Sequence, residues 1–139
     1  MKISTLVDTN ILIDLLGPAT RHREWSVEAL GSCRHEGDLI LSPIVWSEIA
    51  ASPIREDELT VALSWLDMAR ERIRFQAAFR AGKAHRAYRL AGGQRERTLP
   101  DFLIGAHAEW RHHRLLTRDA PRYRSYFPTL DIVSPETHP

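Results

Sequence analysis

The stretch Ile3-Ser4-Thr5-Leu6-Val7-Asp8-Thr9-Asn10-Ile11-Leu12-Ile13-Asp14-Leu15-Leu16 changes its apolar rhythm at Asp8. Before that point a short apolar run has the character of a strand. After it, Ile11, Leu12, Leu15 and Leu16 recur on one side of a helix until Gly17-Pro18 stops it. A strand that hands over to a helix through a polar Asp-Thr-Asn turn is the opening of an α/β unit. In open α/β sheets ligands bind beyond the carboxyl ends of the strands, so the polar turn is also the first place to look for chemistry.

Working outward, the same alternation repeats. Residues 39–41, 115–117 and 130–133 read as further strands, each short and bounded by turn or charged residues. Helices fill the gaps. One carries Trp25, Ala29 and Cys33 and stops near Gly37; another starts from the cap pair Ser42-Pro43 and runs through Ala51. Leu59, Ala62, Leu63, Leu66 and Ala69 form the stripe of a third. Ala77, Ala81, Ala84, Tyr88 and Ala91 form a fourth, ended by Gly92-Gly93, and Pro100 opens a last helix whose Phe102-Leu103-Ile104 segment predicts burial. Strands alternating with helices predict a parallel sheet covered on both faces.

The chain has 139 residues, 43% hydrophobic and 27% charged, which fits a single domain over residues 1–139 and excludes a disordered or low-complexity chain. A lone cysteine, Cys33, can form neither an internal disulfide nor a multi-thiolate zinc site, so a reducing cytoplasm is expected. Asp8 and Asp14 interrupt the only candidate leader, and no run is long enough for a membrane span. The net charge of +1 conceals a split. Residues 1–69 carry 5 basic and 11 acidic side chains, whereas residues 70–124 carry 14 and 5, and every basic residue but Lys2 and Lys83 is arginine. Arginine grips phosphate oxygens with paired hydrogen bonds, so Arg80, Lys83, Arg86, Arg89 and Arg118 are candidate nucleic-acid contacts, against the simpler reading of a solvated basic face.

Four acids fall just past strands or at the head of a buried helix: Asp8, Glu48, Asp101 and Asp119. Each aspartate alone could be a helix cap or a first-turn acid favoured by the helix dipole. Glu48 fits that explanation worst, because it lies roughly 40° from the centre of the stripe made by Ile44, Val45 and Ile49, on the core side of its helix. By the same construction Asp14 points to solvent. Carboxylates converging on one sheet edge repel by about 4 kcal/mol per pair at 4 Å and an effective dielectric near 20, so such a cluster calls for cations. With oxygen ligands only, Mg²⁺ or Mn²⁺ is preferred to zinc, and such an ion could activate water against a phosphodiester.

Asp8-Thr9-Asn10-Ile11-Leu12-Ile13-Asp14, Trp46-Ser47-Glu48-Ile49, Pro100-Asp101-Phe102-Leu103-Ile104-Gly105-Ala106 and Leu115-Leu116-Thr117-Arg118-Asp119 together resemble PIN-domain ribonucleases, most of all the VapC-type toxins of bacterial toxin-antitoxin pairs. The resemblance covers nearly the whole chain. It implies a small three-layer α/β/α sandwich on a short, mainly parallel sheet. It also implies metal-dependent RNA cleavage by a type II toxin, a cognate antitoxin and a homodimer. It makes Asp8, Glu48, Asp101 and Asp119 the catalytic quartet holding Mg²⁺ or Mn²⁺, with Asn10 and Thr117 supporting it by hydrogen bonds. Phe102 and His107 stand where the family usually has smaller residues, which bears on packing of that helix.

Two other readings compete. A haloacid dehalogenase-like phosphatase also has an aspartate after its first strand, but wants a second acid two residues on, where this chain has Asn10. A non-catalytic RNA-binding module on the same scaffold would need no metal. DNA is not excluded as a substrate. His107, His112 and His113 are the only histidine cluster, and their spacing does not put two imidazoles on one helical face, so surface or RNA-contacting roles are expected. Trp25, Trp46, Trp65 and Trp110 fall in or beside helical stripes and are expected mostly in the core, with Trp46 a candidate for base stacking.

Overall fold

A computed structural model of the chain describes residues 2–94 and 96–139. The first strand, β1 (Thr5–Val7), is buried throughout and passes at Asp8 into α1 (Thr9–Leu16), which α2 (Arg21–Glu36) follows. Then come β2 (Leu39–Leu41), α3 (Pro43–Ala50), α4 (Glu56–Leu63), a 3₁₀ turn over Ser64–Leu66 and β3 (Ala69–Arg70). The chain continues through α5 (Phe75–Leu90), α6 (Leu99–Trp110), β4 (Arg114–Leu116), α7 (Ala120–Arg124) and β5 (Ile132–Val133).

The five strands are all parallel, in the order β3-β2-β1-β4-β5. Thr5 registers with Leu39 on one side and Arg114 on the other. From β1 the chain steps outward twice in one direction, then crosses back to β4 and steps the other way. Right-handed crossovers therefore set α1 to α4 on one face of the sheet and α5 to α7 on the other, a three-layer α/β/α sandwich. The direction of winding reverses between β1 and β4. The crevice beyond their carboxyl ends is the topological switch point of the sheet.

The apolar residues of the strands fill the middle layer: Leu6, Val7, Leu39, Leu115 and Leu116 are essentially inaccessible. Ile11 and Leu12 cover them from α1, Leu30 and Cys33 from α2, and Val45 from α3. From α5 the small residues Ala77, Ala81 and Ala84 face α6, whose Phe102 and Ile104 are buried as the sequence predicts. Phe102 packs edge-on against Tyr126 and tilts against Tyr88 and His85, which lays the last turns of α5 beside the first turn of α6.

Two expectations fail, and one helix goes unread. The helical stripe read as far as Ala69 ends at Leu63: Leu63 and Leu66 are buried, but Ala62 is exposed, and Asp67 takes a left-handed conformation (φ 47°) that turns the chain into β3. Two residues are too few to print a strand signature, so β3 was invisible to periodicity. The arginine-rich run after Asp119 conceals α7, whose Ala120 and Tyr123 are fully buried. Trp65 and Trp110 are substantially exposed, while Trp25 and Trp46 pack against the core edge.

Two helical glycines differ in what a side chain would meet. A Cβ on Gly105 of α6 would lie 2.5 Å from the buried ring of Phe127, whereas one on Gly82 of α5 meets nothing within 4 Å. Gly105→Ala should cost about 1–3 kcal/mol by overpacking, despite alanine's better helix propensity, and Gly82→Ala should gain up to about 1 kcal/mol. Thermal melts of the two variants, moving by a few degrees in opposite directions, check this; a stabilised Gly105→Ala would contradict the packing described.

Candidate active site

Asp8 is the N-cap of α1, and its carboxylate is buried where β1 ends. Oδ1 accepts from the backbone N–H of Thr9 at 2.7 Å. Oδ2 accepts from the hydroxyls of Thr117 (2.7 Å) and Tyr123 (2.9 Å) and from the Asn10 amide (3.3 Å). Burial pushes the Asp8 carboxyl up to about 6; the hydrogen bonds from Thr117, Tyr123 and Thr9 restrain the rise, and the neighbouring charge of Asp101 adds to it. At neutral pH the group is therefore an anion held at a cost on the order of 3 kcal/mol.

Asn10 and Thr117 tie the two sides of the switch point together. The Asn10 amide also donates to Thr117 Oγ1, and its oxygen accepts from the Arg118 backbone at 3.1 Å. Thr117 Oγ1 accepts in turn from the Asp119 backbone at 3.0 Å. Glu48, half-buried on α3, reaches the same edge and accepts from the Thr9 hydroxyl at 2.6 Å.

Asp101 serves as a cap and still faces the pocket. Its Oδ2 accepts from the backbone of Thr98 at 2.9 Å, closing a capping box at the head of α6, while Oδ1 pairs with Arg122 at 3.2 Å. Arg122 also pairs through Nε with Asp119 at 3.1 Å. Hydrogen bonds and ion pairs thus chain the four acids: Thr9 joins Asp8 to Glu48, Thr117 joins Asp8 to the Asp119 backbone, and Arg122 joins Asp119 to Asp101.

Tyr123, Arg122 and Thr9 were not legible as site residues. Tyr123 and Arg122 sit in a run that looks like basic surface, and only the existence of α7 turns Tyr123 inward. Asp14 is a correction. Expected in solvent, it accepts from Ser26 of α2 at 2.8 Å and forms a salt bridge with Arg118, because α2 packs across the outer face of α1. Of the candidate RNA contacts, Arg118 is thereby committed to Asp14. Arg80 is committed to Glu109 and to the Tyr126 carbonyl, with its guanidinium over the Phe127 ring. Lys83 lies over the exposed Phe79 ring, and Arg86 and Arg89 are exposed without an ion pair among the described residues.

His107 and His113 are buried rather than superficial, and both turn on Glu71. Their Nε2 atoms lie 2.9 and 2.8 Å from the same Glu71 oxygen, Arg111 lies 3.4 Å from the other, and Ser4 meets His113 Nδ1 at 2.6 Å. His113 approaches from the strand side after α6 has ended, so helical spacing could not reveal the pairing. Burial lowers the pKa of His107. It would raise that of Glu71, but bonds from His113 and His107 hold the carboxyl below its ordinary value. The donor atoms lie within 4.8 Å of one another, close enough for a cation. Ligation through His107 Nε2, however, would put a proton on its buried, unpartnered Nδ1, and Arg111 already supplies a positive charge. The arrangement is a two-histidine clamp on a carboxylate, apart from the acidic quartet.

The crevice suits a hard divalent ion. It chains four carboxylates through one guanidinium, offers oxygen donors, and contains an acid whose pKa is raised chiefly by burial; among the described residues no three of the four bring oxygens within 4.8 Å of one another, so an ion would have to draw them together. Because ligation requires the ionised carboxylate, Mn²⁺ affinity should fall roughly tenfold between pH 7.5 and pH 5, as Asp8 takes up a proton below about 6. Tyr123→Phe removes a donor to the anion and should move that midpoint upward. Calorimetric titrations across pH check both, and an affinity flat through pH 6 would remove Asp8 from the ligand set.

The PIN domain family profile matches residues 5–124. Among solved structures the chain is similar to VapBC2 from Rickettsia felis bound to a promoter DNA fragment, with TM-score 0.72, 17% identity, and 95% of this chain and 98% of that one covered. It is similar to a toxin-antitoxin complex from Klebsiella pneumoniae, with TM-score 0.68, 26% identity and coverage of 94% and 97%. It is also similar to VapBC-1 from nontypeable Haemophilus influenzae, with TM-score 0.71, 16% identity and coverage of 95% and 98%. Among curated protein sequences none matches.

Proposed function

The chain belongs to the PIN domain family, and from that premise we propose that it is a metal-dependent endoribonuclease, the toxin of a type II toxin-antitoxin pair. The observation that carries this reading is the buried Asp8 carboxylate at the switch point, raised by burial to about 6, with Glu48, Asp101 and Asp119 chained to it through Thr9, Thr117 and Arg122. Asp8, Glu48, Asp101 and Asp119 would hold Mg²⁺ or Mn²⁺. Such an ion supplies an activated water and neutralises charge on the phosphodiester.

The chain's own groups do the positioning. Tyr123, Thr117 and Asn10 saturate Oδ2 of Asp8, and Thr9 takes one lone pair of Oδ1, so Oδ1 keeps the capacity for an ion. The capping box holds Asp101 on the rigid end of α6 rather than on a loop. Arg86 and Arg89, on the exposed side of α5 near that end, are free to meet backbone phosphates. Asn10 is engaged with Asp8 and Thr117 where a haloacid dehalogenase-like phosphatase would need a second free acid, which favours the nuclease reading.

A protein partner is part of the proposal. Phe75 and Phe79 on the first turns of α5 are 92% and 69% exposed, an apolar surface suited to a cognate antitoxin or to a second copy in a homodimer. Similar chains were solved as toxin-antitoxin assemblies. No helix among the described residues is long and apolar enough to cross a membrane.

Purified protein should cut single-stranded or looped RNA with Mn²⁺, stop in EDTA, and lose at least a hundredfold in rate on Asp8→Asn with its fold retained by circular dichroism. Cutting that persists in EDTA or in the variant would sink the proposal, and binding without cutting would favour the non-catalytic module. Charge reversal at Arg86 and Arg89 should weaken RNA binding and flatten its salt dependence by about 0.7 per lost contact to a single strand. An unchanged slope would return α5 to a solvated face.

A further inference from the structure

Among the described residues Arg122 alone forms ion pairs with members of the acidic quartet, and the chemistry above gives it no task. Its guanidinium lies 3.2 Å from Asp101 and 3.1 Å from Asp119. One contact runs from Nη1 and the other from Nε, so a single guanidinium bridges the two carboxylates. The side chain is 35% exposed, at the mouth of the crevice rather than sealed within it. The backbone beneath it is firmly set: the next residue, Tyr123, is fully buried and bonded to Asp8.

We propose that Arg122 is the residue that grips the substrate phosphate, parked on Asp101 and Asp119 until a divalent ion takes those carboxylates; this rests on the nuclease reading above. The argument is one of charge and reach. Arginine stays charged throughout the accessible pH range, so it cannot yield the pocket by losing a proton. It must move. A divalent ion ligated by the same oxygens repels it, and its exposure leaves the outward direction open. A phosphodiester brings its negative charge to that mouth, and the planar fork of arginine matches two phosphate oxygens. The guanidinium thus exchanges two carboxylates for one phosphate. The metal-free crevice is meanwhile relieved of part of its repulsion without a bound ion.

The account makes opposite demands on two measurements of Arg122→Gln, which a merely structural role for the ion pairs would not. Titrated with Mn²⁺ alone, the variant should bind several-fold more tightly than the parent, because a competitor has gone. With a labelled single-stranded RNA at saturating Mn²⁺, its KM should rise about tenfold, and the salt dependence of kcat/KM should flatten by about 0.7. Arg122→Lys, a point charge without the fork, should keep Mn²⁺ affinity near that of the parent while KM still rises several-fold. It decides the matter if the glutamine variant does not fold. Unchanged or weaker Mn²⁺ affinity in Arg122→Gln, or an unchanged KM and salt slope, overturns the proposal. If the parent itself leaves RNA uncut, it is the nuclease reading that fails. The same slope is then read from binding of the uncut RNA in Mn²⁺, where no change on Arg122→Gln still overturns the role of Arg122.

Discussion

The structure depends on one buried carboxylate. Asp8 caps α1, takes a hydroxyl from Thr117 at the end of β4 and another from Tyr123 of α7, and so joins three elements distant in sequence. Left without those donors, a buried carboxylate would take up a proton or force the crevice open to water. With them it remains an anion at neutral pH, at a cost on the order of 3 kcal/mol that the surrounding parallel sheet and its apolar layers must offset. The Asp8 carboxyl has its folded pKa raised above its ordinary value, so its ionisation weakens the metal-free fold as pH rises through about 6. A cation on the carboxylate would reverse that penalty and so couple stability to the proposed function at one residue.

Repulsion among the acids is managed by geometry as well as by cations. Four carboxylates near one sheet edge suggest a cluster that strains against itself, but the structure places donors among them. Thr9 donates to both Asp8 and Glu48, Thr117 donates to Asp8 while accepting from the Asp119 backbone, and Arg122 lies between Asp101 and Asp119. Asp101 is also bound to its own helix by the capping box, so its loss would remove a cap as well as a charge. The capping explanation of that aspartate holds, and the proposed chemical role is compatible with it. Away from the quartet, Glu71 shows the other solution, with His107, His113 and Arg111 around one carboxylate.

Much of this was legible in the sequence because it rests on periodicity and caps. The change of rhythm at Asp8 gives β1, α1 and the first acid, and the core-side placement of Glu48 on α3 follows from helix geometry. The apolar run after Asp101 gives the buried helix. What the sequence hides is long-range contact. Asp14 looks free until α2 and Arg118 close over it. Arg80 and Arg118 look like nucleic-acid contacts until Glu109 and Asp14 claim them. His107 and His113 look superficial because their convergence on Glu71 joins a helix, a strand entry and a segment 36 and 42 residues away. Tyr123 is hidden by its arginine neighbours, and β3 is too short to leave a pattern.

The central claim is that Asp8 anchors a divalent ion in the crevice between β1 and β4. Crystals grown with Mn²⁺ and measured for anomalous scattering test it without reference to any substrate. The account predicts a peak within ligand distance, about 2.0–2.2 Å, of an Asp8 oxygen and shared with at least one other member of the quartet. A peak confined to Glu71, His107 and His113, or none at the crevice under saturating Mn²⁺ at pH 7.5, would contradict it.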